Sequence, residues 1–135
     1  MRYSADVFTS EAVTRGIRVR VVSEYAPDQS RPSAGQWLFV YTITISNEGT
    51  EIVQLVTRHW IITDGNGHVE EIRGDGVVGE QPVLAPGQAF EYSSRCPLRT
   101  PFGTMKGTYQ MVTRDGDRFD ARIAEFTLSE PYTVH

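Results

Sequence analysis

The sequence is poor in cysteine and in long apolar runs. Cys96 is its one cysteine, so an intrachain disulfide is impossible and a reducing compartment is the expected environment. No segment approaches the roughly 20 apolar residues that cross a bilayer. The first residues, MRYSADVFTSEAV, lack the apolar core of a signal peptide. These absences predict a cytoplasmic protein that does not enter a membrane.

Clusters of basic residues are also absent. The 13 lysines and arginines are scattered singly along the chain, and the formal net charge is -4 with a pI near 5.3. Nucleic-acid binding depends on grouped cations that displace counterions from phosphates. The sequence therefore disfavours nucleic acid as a direct ligand.

Helical periodicity is the third absence, since no window keeps it over three turns. Apolar residues instead alternate with polar ones, as in 17–21, or occupy both faces of a segment, as in 37–45. Turn signals separate such segments, notably Asp64-Gly65-Asn66-Gly67 and Pro86-Gly87. Further strands are predicted over 51–64, 68–73, 88–96, 104–112 and 118–128, with a loop over 97–103.

This pattern predicts an all-β fold, a single antiparallel β-sandwich of the immunoglobulin or fibronectin type III kind. No low-complexity or linker-like segment divides the chain. Hydrophobic residues make up 39% and charged residues 22% of its 135 residues, which suits one ordinary globular domain. We expect residues 1–135 to form that domain.

One motif raises the question of a nucleotide ligand. Gly74, Gly76 and Gly79 have the spacing G-x-G-x-x-G of dinucleotide-binding loops. In those loops a helix follows the glycines and an acidic residue follows about 20 positions later. Here Pro82 and Pro86 leave no room for a helix, so we interpret the motif as a loop that joins two strands. The alternative is a helix-free anion site built from the amides of 74–79, with charge from Arg73 and from Arg95 or Arg99.

Other reactive side chains form no recognisable catalytic group. His59 and His68 could approach each other across a hairpin and bind a divalent cation with Asp64, Glu70 or Glu71, but no established ligand spacing is present. A structural or surface role is favoured, and no metal ligand is predicted. Cys96 lacks an activating setting and is expected to be a buried or half-buried structural thiol. No catalytic residue is predicted, and no enzyme activity or cofactor is expected.

One longer run carries a family resemblance. Residues 58–111 contain Arg58-His59-Trp60, GDGVVGEQP, LAPGQAFEYSS and TPFGTMKGTYQM. Together these elements closely resemble the ApaG family of small bacterial proteins, and the resemblance extends more weakly to both ends of the chain.

The resemblance implies a fold like fibronectin type III domains and no established enzymatic activity. It also implies genetic association with cobalt resistance and magnesium efflux, and with neighbours that hydrolyse diadenosine tetraphosphate. Similar domains in eukaryotic proteins imply a role in protein binding. We therefore expect a non-catalytic module that binds another protein through a sheet face, an edge strand or an end loop. Phosphate, pyrophosphate or nucleotide binding at 74–79 and divalent-cation binding are the alternatives, and a homodimer through an edge strand is possible.

Overall fold

The chain forms two antiparallel β-sheets. The computed structural model describes residues 7–131, and within them two short 3-10 helices, Pro27–Gln29 and Pro32–Ala34, precede the third strand. The strands are β1 (Phe8–Thr14), β2 (Ile17–Tyr25), β3 (Trp37–Asn47), β4 (Val53–Asp64), β5 (Val69–Asp75), β6 (Val83–Leu84), β7 (Ala89–Leu98), β8 (Phe102–Thr113) and β9 (Arg118–Ser129).

The strand order places β5 at the edge of one sheet and β7 at the edge of the other. The first sheet has the order β1-β2-β3-β7, and the second has the order β5-β4-β8-β9, with β6 pairing to the start of β4. All these pairings are antiparallel. The predicted antiparallel β-sandwich is therefore confirmed.

Side-chain alternation explains how the two sheets meet. In β3, the odd-numbered residues Phe39, Tyr41, Ile43 and Ile45 are buried, and the even-numbered residues that alternate with them are half-buried on the outer face. Trp60 of β4 lies in the same core, in ring contact with Tyr41, Tyr109 and Phe126 at centroid distances of 5.6, 6.4 and 6.0 Å. β3 lies between β2 and β7, and this central position agrees with the apolar residues on both faces of 37–45.

The predicted turns are confirmed by their backbone. Asp64 and His68 close the β4–β5 hairpin through a hydrogen bond of 3.0 Å from the Asp64 N–H to the His68 carbonyl. At Ala85–Gln88, the Gln88 N–H donates to the Ala85 carbonyl at 3.0 Å. Gly87 has φ 87°, which is the positive value that the third position of a type II turn requires.

Two strands were not predicted, and two further strands are longer than predicted. β1 is half-buried along one face only, and β6 has two residues, so neither gives a clear pattern. The loop predicted over 97–103 is shorter in the structure, because β7 continues to Leu98 and β8 begins at Phe102. Pro97 is tolerated in β7 because β7 is an edge strand, where a missing N–H faces away from the sheet. Among the described residues, no helix is long and apolar enough to cross a bilayer.

Candidate functional site: the glycine hairpin and the edge strand β5

The glycine motif forms a tight hairpin at the end of β5. Val77 and Glu80 exchange two backbone hydrogen bonds of 2.8 and 2.9 Å. Between them, Val78 and Gly79 both have positive φ, 43° and 81°. Positive φ at both central residues defines a type I′ turn, the connection that matches the twist of a β-hairpin. The prediction of a loop that joins strands is correct for Gly76 and Gly79, which lie between β5 and β6, whereas Gly74 lies within β5. The loop contains a second, smaller hairpin.

Gly76 has no room for a side chain. Its φ is 59°, and a Cβ atom at this position would collide with the carbonyl oxygen of Glu80. Its N–H donates to the Val56 carbonyl at 2.8 Å. Gly79, by contrast, has open space where a Cβ would lie and needs glycine only for its φ of 81°.

Gly74 is a glycine because an arginine lies against it. A Cβ on Gly74 would lie 2.7 Å from Nη2 of Arg58, and Gly74 pairs with Arg58 across β4 and β5. Nη1 of Arg58 donates to the carbonyls of Asp75 and Gly76 at 2.8 and 2.9 Å. Arg58 therefore fastens the base of the glycine hairpin to β4.

The sequence did not single out Arg58 for this role. The sequence nevertheless contained a clue to this role. Residues two apart in a strand share a face, so Arg58 lies on the same inner face of β4 as Trp60. A cation at an inward-facing position needs acceptors, which the carbonyls of Asp75 and Gly76 supply.

The residues predicted for an anion site are spread over the sandwich. Arg73 lies on β5, three residues before Gly76, whereas Arg95 lies on β7 of the other sheet. Arg99 lines a cleft of about 1240 Å³ beside the opposite end of β5, together with His68. The structure does not bring Arg99 to the glycine hairpin.

Most amides of the glycine hairpin already have acceptors. The N–H groups of Gly76, Val77 and Glu80 donate to backbone carbonyls. Within residues 7–131, the N–H groups of Val78 and Gly79 have no hydrogen-bond acceptor. An anion at this loop would therefore have two adjacent amides available.

The histidines are separated. His59 Nε2 lies 2.9 Å from Glu71 Oε1 on the outer face of the second sheet, while His68 pairs with Asp64 at the hairpin turn. His59 and Asp64 are five positions apart in β4, which is roughly 16 Å along a strand. Asp64 Oδ1 accepts the N–H groups of Asn66 and His68 at 2.9 and 3.0 Å. In the part of the chain that the structure describes, no three His, Cys, Asp or Glu side chains group as metal ligands.

A buried polar cluster lies between the sheets. Tyr92 and Tyr109 share a hydroxyl–hydroxyl hydrogen bond, and burial raises the pKa of both phenols. Cys96 is 3% exposed, as predicted, and burial, followed by the charge of Glu70, raises the pKa of its thiol to about 12. A thiol held neutral in this way is a weak nucleophile.

These shifts predict loss of stability at alkaline pH. In the unfolded chain Cys96 ionises near pH 8.5, while in the folded chain it stays protonated until about pH 12. The unfolded state therefore binds fewer protons, and the free energy of unfolding falls as pH rises through this window, by at most about 1.4 kcal/mol per pH unit for this group.

Urea titrations from pH 7 to 11 measure this decline in the free energy of unfolding. Cys96→Ala should flatten the decline below pH 10, where tyrosines still contribute little, and an unchanged slope would contradict the assignment.

Among the described strands, β5 is the most exposed edge strand. Val69 and Ile72 point to opposite faces and are 54% and 39% exposed, so β5 extends beyond the cover of the first sheet. On the far side, β1 and β9 contact each other, with Ser10 Oγ donating to the Ala124 carbonyl at 2.9 Å. On β7, Pro97 offers no N–H.

The hydrogen-bond ladder between β4 and β5 shows which backbone groups of β5 point away from the sheet. Asp64 N–H donates to His68 and Gly76 N–H donates to Val56, so in this register the even-numbered residues of β5 bond to β4. Because directions alternate in an antiparallel ladder, the N–H and C=O groups of Val69, Glu71 and Arg73 point away from the sheet. No strand in the described part of the chain pairs with these groups.

Comparisons with known proteins place this geometry in a family. A profile of the family described as DUF525, ApaG domain, matches residues 27–113, a range that includes Arg58 and the whole glycine hairpin. Protein ApaG of Thiobacillus denitrificans is 55% identical over 119 residues, covering 88% of this chain and 94% of that protein. Protein ApaG of Bordetella pertussis is 54% identical, covering 88% and 91%. A crystal structure assigned to an ApaA protein of Bordetella pertussis superposes with a TM-score of 0.84 at 54% identity, covering 87% of this chain and 95% of that one.

Proposed function

Because the chain belongs to the ApaG family, we propose that residues 1–135 form one domain that works as a non-catalytic protein-binding module. The observation that carries this proposal is the outer edge of β5, which pairs with no other strand among residues 7–131 and is exposed on both faces. A partner protein supplies an extended segment that adds to this edge as a further strand.

The chemistry of strand addition fits the groups on β5. Main-chain hydrogen bonds to Val69, Glu71 and Arg73 supply affinity, and the side chains on the two faces of the strand supply specificity. Glu71 and Arg73 present charges of opposite sign on one face, and Ile72 presents an apolar side chain on the other. A partner segment with a basic and an acidic residue flanking an apolar one would complement them.

The reactive side chains favour binding over catalysis. His59 is hydrogen-bonded to Glu71 on an open sheet face, and the Cys96 thiol is buried and held neutral. A buried thiol also suits the reducing environment of the cytoplasm, where we expect the module to act. We propose that the link to cobalt resistance and magnesium efflux, implied by the family resemblance, runs through the bound partner.

The test compares the same substitution on two strand edges. Arg73→Pro removes an outward N–H from β5, and Arg95→Pro removes an outward N–H from β7, where Pro97 shows that proline is accepted. We expect partner capture from the native lysate to be lost with Arg73→Pro and retained with Arg95→Pro, at equal thermal stability. Equal capture by both variants, or loss only with Arg95→Pro, would rule out the β5 edge.

A second candidate function is the binding of phosphate or pyrophosphate at the glycine hairpin. The observation in its favour is the pair of N–H groups at Val78 and Gly79, which have no acceptor among the described residues, with Arg73 as the cation on the adjoining strand. Amide NMR spectra recorded while pyrophosphate, ATP and then magnesium or cobalt are added test this candidate and divalent-cation binding together. Saturable shifts confined to Arg73–Glu80 would support an anion site, and shifts at His59 and Glu71 a cation site.

A further inference from the structure

Strand β5 is complementary to itself in antiparallel orientation. Glu71 and Arg73 are exposed, carry opposite charges and lie two residues apart on the outer face. Ile72 lies between them on the other face. We propose that β5 pairs with β5 of a second copy of this chain about a twofold axis at Ile72. The inference rests on the proposed function, because it names one strand that fits the same edge.

The twofold axis fixes the register. With Ile72 opposite its own copy, Glu71 lies opposite Arg73 of the second copy, and the symmetry repeats this pair on the other side of the axis. Both residues direct their N–H and C=O groups outward, so they form hydrogen-bonded pairs across the new junction. Each opposite-charge cross-strand pair adds a favourable side-chain contact.

Neighbouring registers are unfavourable. A shift of the axis by one residue in one direction places Glu71 opposite Glu71, and a shift in the other direction places Arg73 opposite Arg73. Like charges directly opposite each other destabilise a strand pair. In this register the paired segment runs from Val69 to Asp75. It ends at Asp75 because the Asp75 carbonyl already accepts a hydrogen bond from Arg58.

The edge of β7 is the competing surface, because Glu91 and Arg95 also lie symmetrically about a central residue, Ser93. Both carboxylates are engaged, since Glu91 accepts a hydrogen bond of 2.9 Å from Thr44 and Glu71 lies 2.9 Å from His59 Nε2. The edges differ at Pro97, which ends the row of outward N–H groups on β7, and in exposure, because β5 is exposed on both faces. These two differences favour β5.

Two single charge reversals test the register. Glu71→Arg and Arg73→Glu should each weaken self-association about tenfold, since both ion pairs become repulsive. An equimolar mixture of the two variants should associate at least as well as wild type, because every pair in the mixed dimer again joins opposite charges. Sedimentation equilibrium over a concentration series measures this. Glu91→Arg on β7 is the matched control and should not change the association constant.

A disulfide between two copies of the chain tests the position of the twofold axis. Ile72→Cys should form a symmetric disulfide on mild oxidation, because residues opposite each other in a non-hydrogen-bonded pair have Cα atoms about 4.5 Å apart. Val69→Cys is more exposed than Ile72 but lies opposite Asp75, so it should crosslink less. The native Cys96 is buried and does not interfere.

The failure of self-pairing can be told apart from the failure of the proposed function. A monomer at all concentrations, with no association in the variant mixture, would overturn self-pairing, as would a dimer disrupted by Glu91→Arg or a Val69→Cys crosslink stronger than that of Ile72→Cys. Loss of partner capture with Arg73→Pro would in that case still support strand addition by another protein.

Discussion

Replacing Trp60 with alanine is expected to lower the free energy of unfolding by about 4 kcal/mol. Trp60 is 3% exposed and contacts rings from both sheets, namely Tyr41 from β3 and Tyr109 and Phe126 from β8 and β9. Its removal leaves a cavity that β-strands held by ladder hydrogen bonds cannot close. Loss of these aromatic contacts adds to the loss of buried apolar area.

Trp37→Ala is the matched control. Trp37 is half-buried at the start of β3, and its indole N–H donates to Glu130 at 3.1 Å. Because Trp37 lies at the margin of the core, its replacement should cost about half as much. Urea unfolding followed by far-ultraviolet circular dichroism compares the two variants. Equal losses would contradict the central position assigned to Trp60.

Gly76→Ala is expected to lower the free energy of unfolding by about 3 kcal/mol. Two costs combine at this position. Alanine is strained at a φ of 59°, and its Cβ would collide with the Glu80 carbonyl. Relief of that collision would break the paired hydrogen bonds between Val77 and Glu80.

Gly79→Ala separates these two costs. Gly79 has a φ of 81° but open space around a Cβ, so only the backbone strain applies, about 1 kcal/mol. Gly79→Asn should cost less still, because asparagine tolerates this conformation. If Gly79→Ala were as destabilising as Gly76→Ala, the steric explanation for Gly76 would be wrong.

The strands and turns were predictable because their signals are local. The alternation in β3 and the Asp64–Gly67 turn depend only on neighbours in the sequence. The weakly patterned β1 and the two-residue β6 escaped prediction because tertiary pairing with β2 and β4 makes them strands. The continuation of β7 through Pro97 depends on its edge position, which the sequence does not encode locally.

The glycine motif shows how spacing and mechanism can differ. The missing helix was enough to exclude a dinucleotide loop. The structural reasons for the glycines, however, are the positive φ angles at Gly76 and Gly79 and the contact of Gly74 with Arg58. Arg58 is 16 positions from Gly74 in the sequence but pairs with it across β4 and β5, so its role emerges only from the register.

The accessible edge could not be identified from the sequence. Residues 68–73 were predicted as a returning strand, and β5 confirms this. Its edge position follows from the sheet order, which places β8 on the other side of β4. Charged residues on β5 suit an exposed edge, but they equally suit the outer face of a central strand.

The most direct test of strand addition is residue-resolved amide hydrogen exchange of the labelled protein, alone and bound to the partner that the wild-type chain captures. Slowed exchange is expected at Val69, Glu71 and Arg73, whose N–H groups point outward. The amides of Glu70, Ile72 and Gly74 already bond to β4 and should change much less. Protection confined to Val78 and Gly79, or to β7, with no change at Glu71 and Arg73, would rule out strand addition at β5.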